Sequence, residues 1–289
     1  MGYGIKLAAF PSPEATVQRY FKALQARDLS SAAEELASGF GVKNDLKNGA
    51  TWSVMWLMLS DQQYQPPSGV RMGGWQEAPT AEGDRLVAVQ YELAGTTYSS
   101  LMKLRKQDGQ WRIANGTGTV QVNVPNALVN GQKADKSAKL FPGVYQVGSN
   151  PFAPLLIARP VPVVVTPDRV GTVRLSPTLA TDALAKVKQH LDMMVKACET
   201  TTGVSKNDCP YKGIDTSGMS QVSWKLVSLP ELMIEQSGPD SVAVKGVGPG
   251  SVHLNAVGAD GKGVDRVDSF SINGKCVEKD SWVSCTFTA

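Results

Sequence analysis

Histidine, cysteine and long apolar runs are scarce in this chain of 289 residues, which holds only two histidines and four cysteines. Each scarcity removes a class of function. A Ser–His or Cys–His nucleophile needs an imidazole base within reach. His190 sits among Lys186, Lys188 and Asp192 and reads as a solvated surface residue. His253 alternates with Val252 and Leu254, which turns it outward on a strand or sets it at a sheet edge. Neither accompanies a Gly-x-Ser-x-Gly elbow. Without a Cys-x-x-Cys pair or histidines at ligand spacing, zinc is unsupported. No glycine pattern of the phosphate-cradling kind occurs, and Gly258–Gly263 reads as a loop whose Lys262 takes a place where calcium needs oxygen. No cofactor and no metal is expected. The net charge of +3 is spread along the chain without a basic stripe, which argues against nucleic acid as a partner. No stretch approaches the ~18 apolar residues that cross a bilayer. The start, Met1-Gly2-Tyr3-Gly4, lacks the charged and apolar parts of a signal peptide. Met1-Gly2 reads as an added start, so a signal or membrane anchor is expected upstream.

What is present is ordinary globular material, 42% hydrophobic and 19% charged, at a length suited to two or three domains. The four cysteines allow three connectivities. Cys198 and Cys209 bracket a polar loop, and Cys276 and Cys285 bracket a hairpin turning at Lys279-Asp280-Ser281. Both pairs close locally, so 198–209 and 276–285 is the expected pairing. Disulfides persist in oxidising compartments, which points outside the cytoplasm to the cell surface.

The segment 10–116 opens with a helix. Ser12 caps it, Pro13 suits its first position, and Val17, Tyr20, Phe21 and Leu24 form a one-sided stripe. A break at Arg27-Asp28 leads to a second helix through Ala32, Ala33, Leu36 and Ala37. A third, over 51–59, places Trp52, Met55, Trp56 and Leu59 on one face. The period then becomes strand-like over Leu86–Leu93 and Tyr98–Lys106, and Asp108-Gly109 turns the chain into Trp111-Arg112-Ile113. Segments 13–28 and 100–113 resemble the opening helix and closing hairpin of nuclear-transport-factor-2-like domains. That resemblance implies a cystatin-like cone of helix and curved antiparallel sheet and says little about function, since the scaffold hosts enzymes, binders and assembly proteins.

Residues 117–175 are rich in proline and glycine with short strands, predicting a small β-sandwich or β-linker. Val129-Asn130-Gly131 followed by Leu140-Phe141-Pro142-Gly143-Val144-Tyr145 resembles the ectodomains of TcaA-like bacterial envelope proteins, which implies a membrane-anchored chain outside the cell. Residues 176–289 open with a helix capped at Ser176, whose stripe Leu184, Val187, Leu191, Met194, Val195 and Cys198 predicts a disulfide-pinned end. Antiparallel strands follow, a second helix-plus-sheet domain. The fold class expected is thus α+β and multi-module.

Candidate site residues lie in the first module. Tyr20, Tyr64 and Tyr91, with Asp45 or Asp61, could serve acid–base chemistry in the cone, although Tyr20 also completes the core stripe. Trp52, Trp56 and Trp75, beside Met55, Met58 and Met72, could line a pocket for a lipid or glycan; helix-on-sheet packing explains the first two equally well. Asn115-Gly116-Thr117 is a sequon at a surface turn. The expected function is non-enzymatic: an extracytoplasmic binding or scaffolding ectodomain whose partner is a cell-wall polymer, a lipid-linked precursor or another envelope protein. The alternatives are a subunit of a secretion or conjugation machine, and an isomerase or hydrolase using the first module's pocket.

Overall fold

Ser12 opens the first helix as its sequence predicts, and its Oγ accepts the Ala15 N–H at 3.2 Å. The structure, a computed structural model, describes residues 11–37, 63–78, 83–124, 127–134, 137–150, 153–167, 169–199, 209–279 and 282–288. The expected helix over 51–59 lies outside the described residues, and so do Trp52, Trp56, Met55, Met58, Asp45, Asp61 and the turn residues Asp280 and Ser281. No helix among the described residues is long and apolar enough to cross a membrane.

Helix α1 spans Pro13–Gln25 and stops where Arg27 takes a left-handed φ of 56°. Asp28 then caps α2 (Leu29–Glu34) by accepting the Ser31 N–H at 3.1 Å. The stripe Val17, Tyr20, Phe21 and Leu24 is buried, and α1 packs on β1 (Ser68–Glu77), β2 (Arg85–Leu93) and β4 (Gln110–Ile113). Fully burying such side chains contributes ~1.5–3 kcal/mol each. With β3 (Thr96–Gln107) these strands form one antiparallel sheet in the order β1-β2-β3-β4. Asp108 and Gly109 both take positive φ at the β3–β4 turn, as a tight hairpin requires.

The chain divides into two compact units. The first, Met1–Gly148 with Pro160–Leu175, adds two small sheets to the one above. Their strands are β5 (Gly118–Val122), β6 (Ala127–Val129), β7 (Gln132–Lys133), β8 (Ser137–Leu140), β9 (Gly143–Ser149), β11 (Val161–Val165) and β12 (Val170–Val173), in orders β12-β5-β8 and β11-β9-β6-β7. Asn130 sits at the β6–β7 turn with φ of 46°, and its Oδ1 accepts the Gln146 N–H at 2.7 Å.

The second unit, Ser149–Arg159 with Ser176–Ala289, starts with a two-stranded pair, β10 (Leu156–Ile157) and β13 (Thr178–Leu179). This pair occupies the place expected for a helix cap at Ser176, and α3 begins instead at Ala183, running to Glu199. The strands that follow are β14 (Ser220–Ser228), β15 (Glu231–Gln236), β16 (Ser241–Val247), β17 (Gly250–Val257), β18 (Gly263–Phe270), β19 (Asn273–Lys279) and β20 (Trp282–Thr288). They form two sheets, β14-β17-β18 and β15-β16-β19-β20. Val222, Trp224, Val252 and Leu254 of one sheet share a core with Leu232, Val242, Val244 and Phe287 of the other and with Val187, Leu191 and Val195 of α3.

The α+β reading is therefore overturned. The described residues are mostly strand, with three helices, and the strands fall into several separate sheets. The physical reason lies in what alternation encodes. A period of two says which side chains of a strand are buried, but not whether they face a helix or another sheet. In the second unit the buried sides of two sheets meet, so a sandwich edged by α3 replaces a single sheet wrapped on a helix. The three expected segments distribute over the two units: 10–116 lies in the first, 117–175 in the first except for 149–159, and 176–289 in the second.

Candidate functional site

The tyrosines picked from the sequence are fully buried side chains of an aromatic core in the first unit. Tyr20, Tyr64 and Tyr91 each have 0% exposure. Phe21 stands edge-on to Tyr20 at 5.4 Å and tilted to Tyr91 at 5.3 Å, and Tyr64 meets Tyr145 at 5.2 Å. Their hydroxyls are committed. Tyr20 donates to the Gly116 carbonyl, Tyr64 to that of Pro142 at 2.8 Å, and Tyr145 to that of Phe141 at 2.9 Å. Tyr91 shares a hydrogen bond with Ser100 at 3.0 Å. Burial, then the neighbouring tyrosines, push the Tyr20 and Tyr145 hydroxyls well up, and burial raises Tyr64 and Tyr91 as well. These phenols stay protonated, and Tyr20, Tyr64 and Tyr145 hold the chain by donating to it.

One buried carboxylate of the first unit, Glu35, is likewise committed. Arg19 grips it with Nε to Oε1 at 2.6 Å and Nη2 to Oε2 at 2.8 Å, a fork geometry that fixes both partners. The acid–base arrangement contemplated from the sequence, a tyrosine facing a carboxylate, is not formed by Tyr20 and Glu35. His190 is half-buried, and that burial pushes its pKa down. His253 faces outward, as its alternation predicts, and bonds Asp265. Asn115 of the sequon is engaged: its Oδ1 accepts the Lys103 N–H at 2.7 Å and its Nδ2 donates to the Leu101 carbonyl at 2.9 Å.

Trp75 is 46% exposed, and the Arg85 guanidinium lies over its ring at 4.7 Å and over the Trp111 ring at 5.8 Å. Arg85 also pairs with Glu77 at 3.0 Å. Trp75 thus braces the end of the sheet by a cation–π contact.

A cavity of about 430 Å³ on the opposite face of the first sheet is lined by Met72, which the sequence reading named beside Trp75, and by side chains that it did not single out. Alternation along β2 buries Val87, Val89 and Tyr91 and turns Ala88 and Gln90 outward. Register sets Leu101 opposite Ala88, and both Ser99 and Arg71 opposite Gln90. A register shift between Met72 and Trp75 places Gly73 beside Ala88, where an added Cβ would lie 3.1 Å from the Ala88 methyl. The result is a floor of small residues with Arg71, Gln90, Ser99 and Leu101 around it. A cation, an amide, a hydroxyl and one apolar side chain can hydrogen-bond and pack a polar ligand. The signal available in the sequence was Gly73-Gly74 ahead of a strand with an outward alanine.

The expected sulfur pairing is formed: Cys198 with Cys209 and Cys276 with Cys285, leaving no free cysteine. Cys198 ends the buried stripe of α3, and Cys276 stands opposite Cys285 in the β19–β20 ladder. Two bridges point to a location outside the reducing cytoplasm.

No family model matches this chain. No curated protein matches it either. A solved structure titled "Ntf2 like protein involved in plasmid conjugation" aligns over 96% of this chain and 97% of its own at 8% identity, with a TM-score of 0.19. Likeness at that score carries no argument about fold or role, and the resemblance of 129–145 to TcaA-like ectodomains finds no counterpart in these comparisons.

Proposed function

We propose that this chain is a non-enzymatic binding module that works outside the cytoplasm, tethered in the cell envelope, and that its partner is a polar wall polymer carrying anionic groups. One observation carries the reading. The open cavity of molecular size lies on the outer face of the first sheet and presents Arg71, Gln90 and Ser99 over a floor of small residues. The tyrosines that acid–base chemistry would need are sealed in the core with their hydroxyls given to the backbone and to Ser100. Arg71 supplies the charge for an anionic group, Gln90 and Ser99 suit sugar hydroxyls, and Leu101 offers an apolar surface for a ring. The two disulfides support the compartment.

The test is equilibrium binding of the oxidised protein to purified anionic wall polymer, with uncharged polysaccharide and anionic lipid vesicles as the other arms. Arg71→Ala should weaken polymer binding by about tenfold, as loss of one charge-assisted contact does. Binding only to vesicles, or polymer binding that is unchanged in both Arg71→Ala and Gly73→Val, would overturn the reading.

A further inference from the structure

We infer that a second copy of this chain docks along the free edge of β18, joining two three-stranded sheets into one of six strands about a two-fold axis at Val267. The inference does not rest on polymer binding. β18 is the outer strand of the order β14-β17-β18. It pairs with β17 over eight consecutive positions, Gly263 to Phe270, without a bulge. Its other edge has no partner strand among the described residues. A straight edge of that length presents alternate backbone N–H and C=O groups that another strand can pair with.

Charge selects the partner. In an antiparallel pairing centred on Val267, Arg266 stands opposite Asp268 of the second copy, and symmetry repeats the contact. Residues directly opposite share a face of the sheet, and opposite charges there stabilise the register. Within one chain Arg266 Nε already donates to Asp268 Oδ2 at 2.8 Å while its Nη2 donates to the Asp215 carbonyl at 3.0 Å, so the Arg266 and Asp268 side chains lie on one face of the strand. A second copy turns that pair into a ring of four alternating charges. The same register sets Asp265 opposite Ser269 and brings Val267, 60% exposed, against its own counterpart.

The other long edges, β1, β14, β15 and β20, lack this combination. β1 is interrupted by register shifts on both sides of Arg71-Met72, and β14 is interrupted near each end. β15 paired with itself about Met233 opposes Glu231 to Glu235, a repulsive arrangement. β20 carries no charged side chain to fix a register, and α3 packs against it.

The experiment is sedimentation of the oxidised chain from ~10 µM to ~1 mM, the range suited to an interface smaller than ~1,200 Å². A reversible monomer–dimer equilibrium is expected. Arg266→Asp opposes two aspartates on each side and should weaken association at least about tenfold, as should Asp268→Arg. The double variant Arg266→Asp/Asp268→Arg exchanges the charges and should restore it. Val267→Lys should weaken it independently, with near-ultraviolet circular dichroism confirming the native fold in each case. A wild-type chain that stays monomeric overturns the inference. So does a dimer indifferent to Arg266→Asp and Val267→Lys, or a double variant no stronger than its parents.

Discussion

The two units fix their buried aromatic side chains by different means. In the first, Tyr20, Tyr64 and Tyr145 are sealed and every hydroxyl reaches a backbone carbonyl from a distant or neighbouring segment. In the second, Tyr211 Oη and Trp224 Nε1 are buried with no hydrogen-bond partner among the described residues, although their rings pack at 5.0 Å. A buried donor without an acceptor costs about 1–3 kcal/mol. Both disulfides belong to this second unit, and each offsets about 2–3 kcal/mol by restricting the unfolded chain, given loops closed over 11 and 9 residues. One unit is held by specific polar anchors, the other by local covalent links within a sandwich that carries a polar deficit.

The sharpest way to break this contrast is reduction. With both bridges opened, the second unit should lose about 5 kcal/mol, the sum of two loop-closure contributions. Hydrogen exchange read by mass spectrometry should show protection falling in β14–β20 while α1 and β1–β4 keep theirs. Equal loss of protection in both units would show that the bridges do not act locally. The alanine pair at Cys198 and Cys209 should reproduce about half of the effect.

A smaller but local effect tests the anchors of the first unit. Gly143 lies where an added Cβ would come within 2.2 Å of the Tyr64 ring and 3.0 Å of the Gln65 carbonyl. The bridge between Gln65 and Val144 holds the segments together, with N···O distances of 3.1 and 2.9 Å. Neither the backbone nor a ring at 0% exposure can retreat, so Gly143→Ala should cost about 2–3 kcal/mol, the upper range for overpacking. Urea unfolding gives the number, and a cost below about 0.5 kcal/mol would mean that the Tyr64 anchor is loose.

How much of this was legible depends on the range of the forces involved. Caps, turns and periods are local: Ser12, Asp28, Asp108-Gly109 and Asn130-Gly131 behave as their chemistry predicts. The local sulfur pairing was legible for the same reason, since short loops favour near neighbours. The sheet partnership of β14 with β17, across two intervening strands, leaves no local trace, so alternation alone does not distinguish a sandwich from a helix-plus-sheet domain. β1, with three glycines and an exposed face, shows no alternation to betray it. The cavity was missed with it, because its floor exists only where Gly73 meets Ala88 across strands. Tyr20, Tyr64 and Tyr91 were recognisable as important, but their role as sealed anchors rests on acceptors as far away as Gly116 and Pro142.

The smallest expected effect separates the units most cleanly, because the same edit is applied to each. Tyr20→Phe removes the donor to the Gly116 carbonyl and leaves that acceptor buried, which should cost about 1–2 kcal/mol. Tyr211→Phe removes a hydroxyl that has no partner, so it should be neutral or stabilise by up to about 1 kcal/mol. The pH dependence gives a second handle. Burial, then the Glu199 charge, pushes the Tyr211 hydroxyl up to about 12, above the ~10 of an unfolded chain. A phenol whose folded pKa is raised keeps its contribution in full below ~10 and loses it as pH rises through the folded value. Wild-type stability should therefore fall between pH ~10 and about 12, and Tyr211→Phe should remove this residue's share of that slope. If Tyr211→Phe instead costs as much as Tyr20→Phe, an acceptor or an ordered water meets the Tyr211 hydroxyl in solution. The polar deficit of the second unit would then shrink to the Trp224 Nε1 donor.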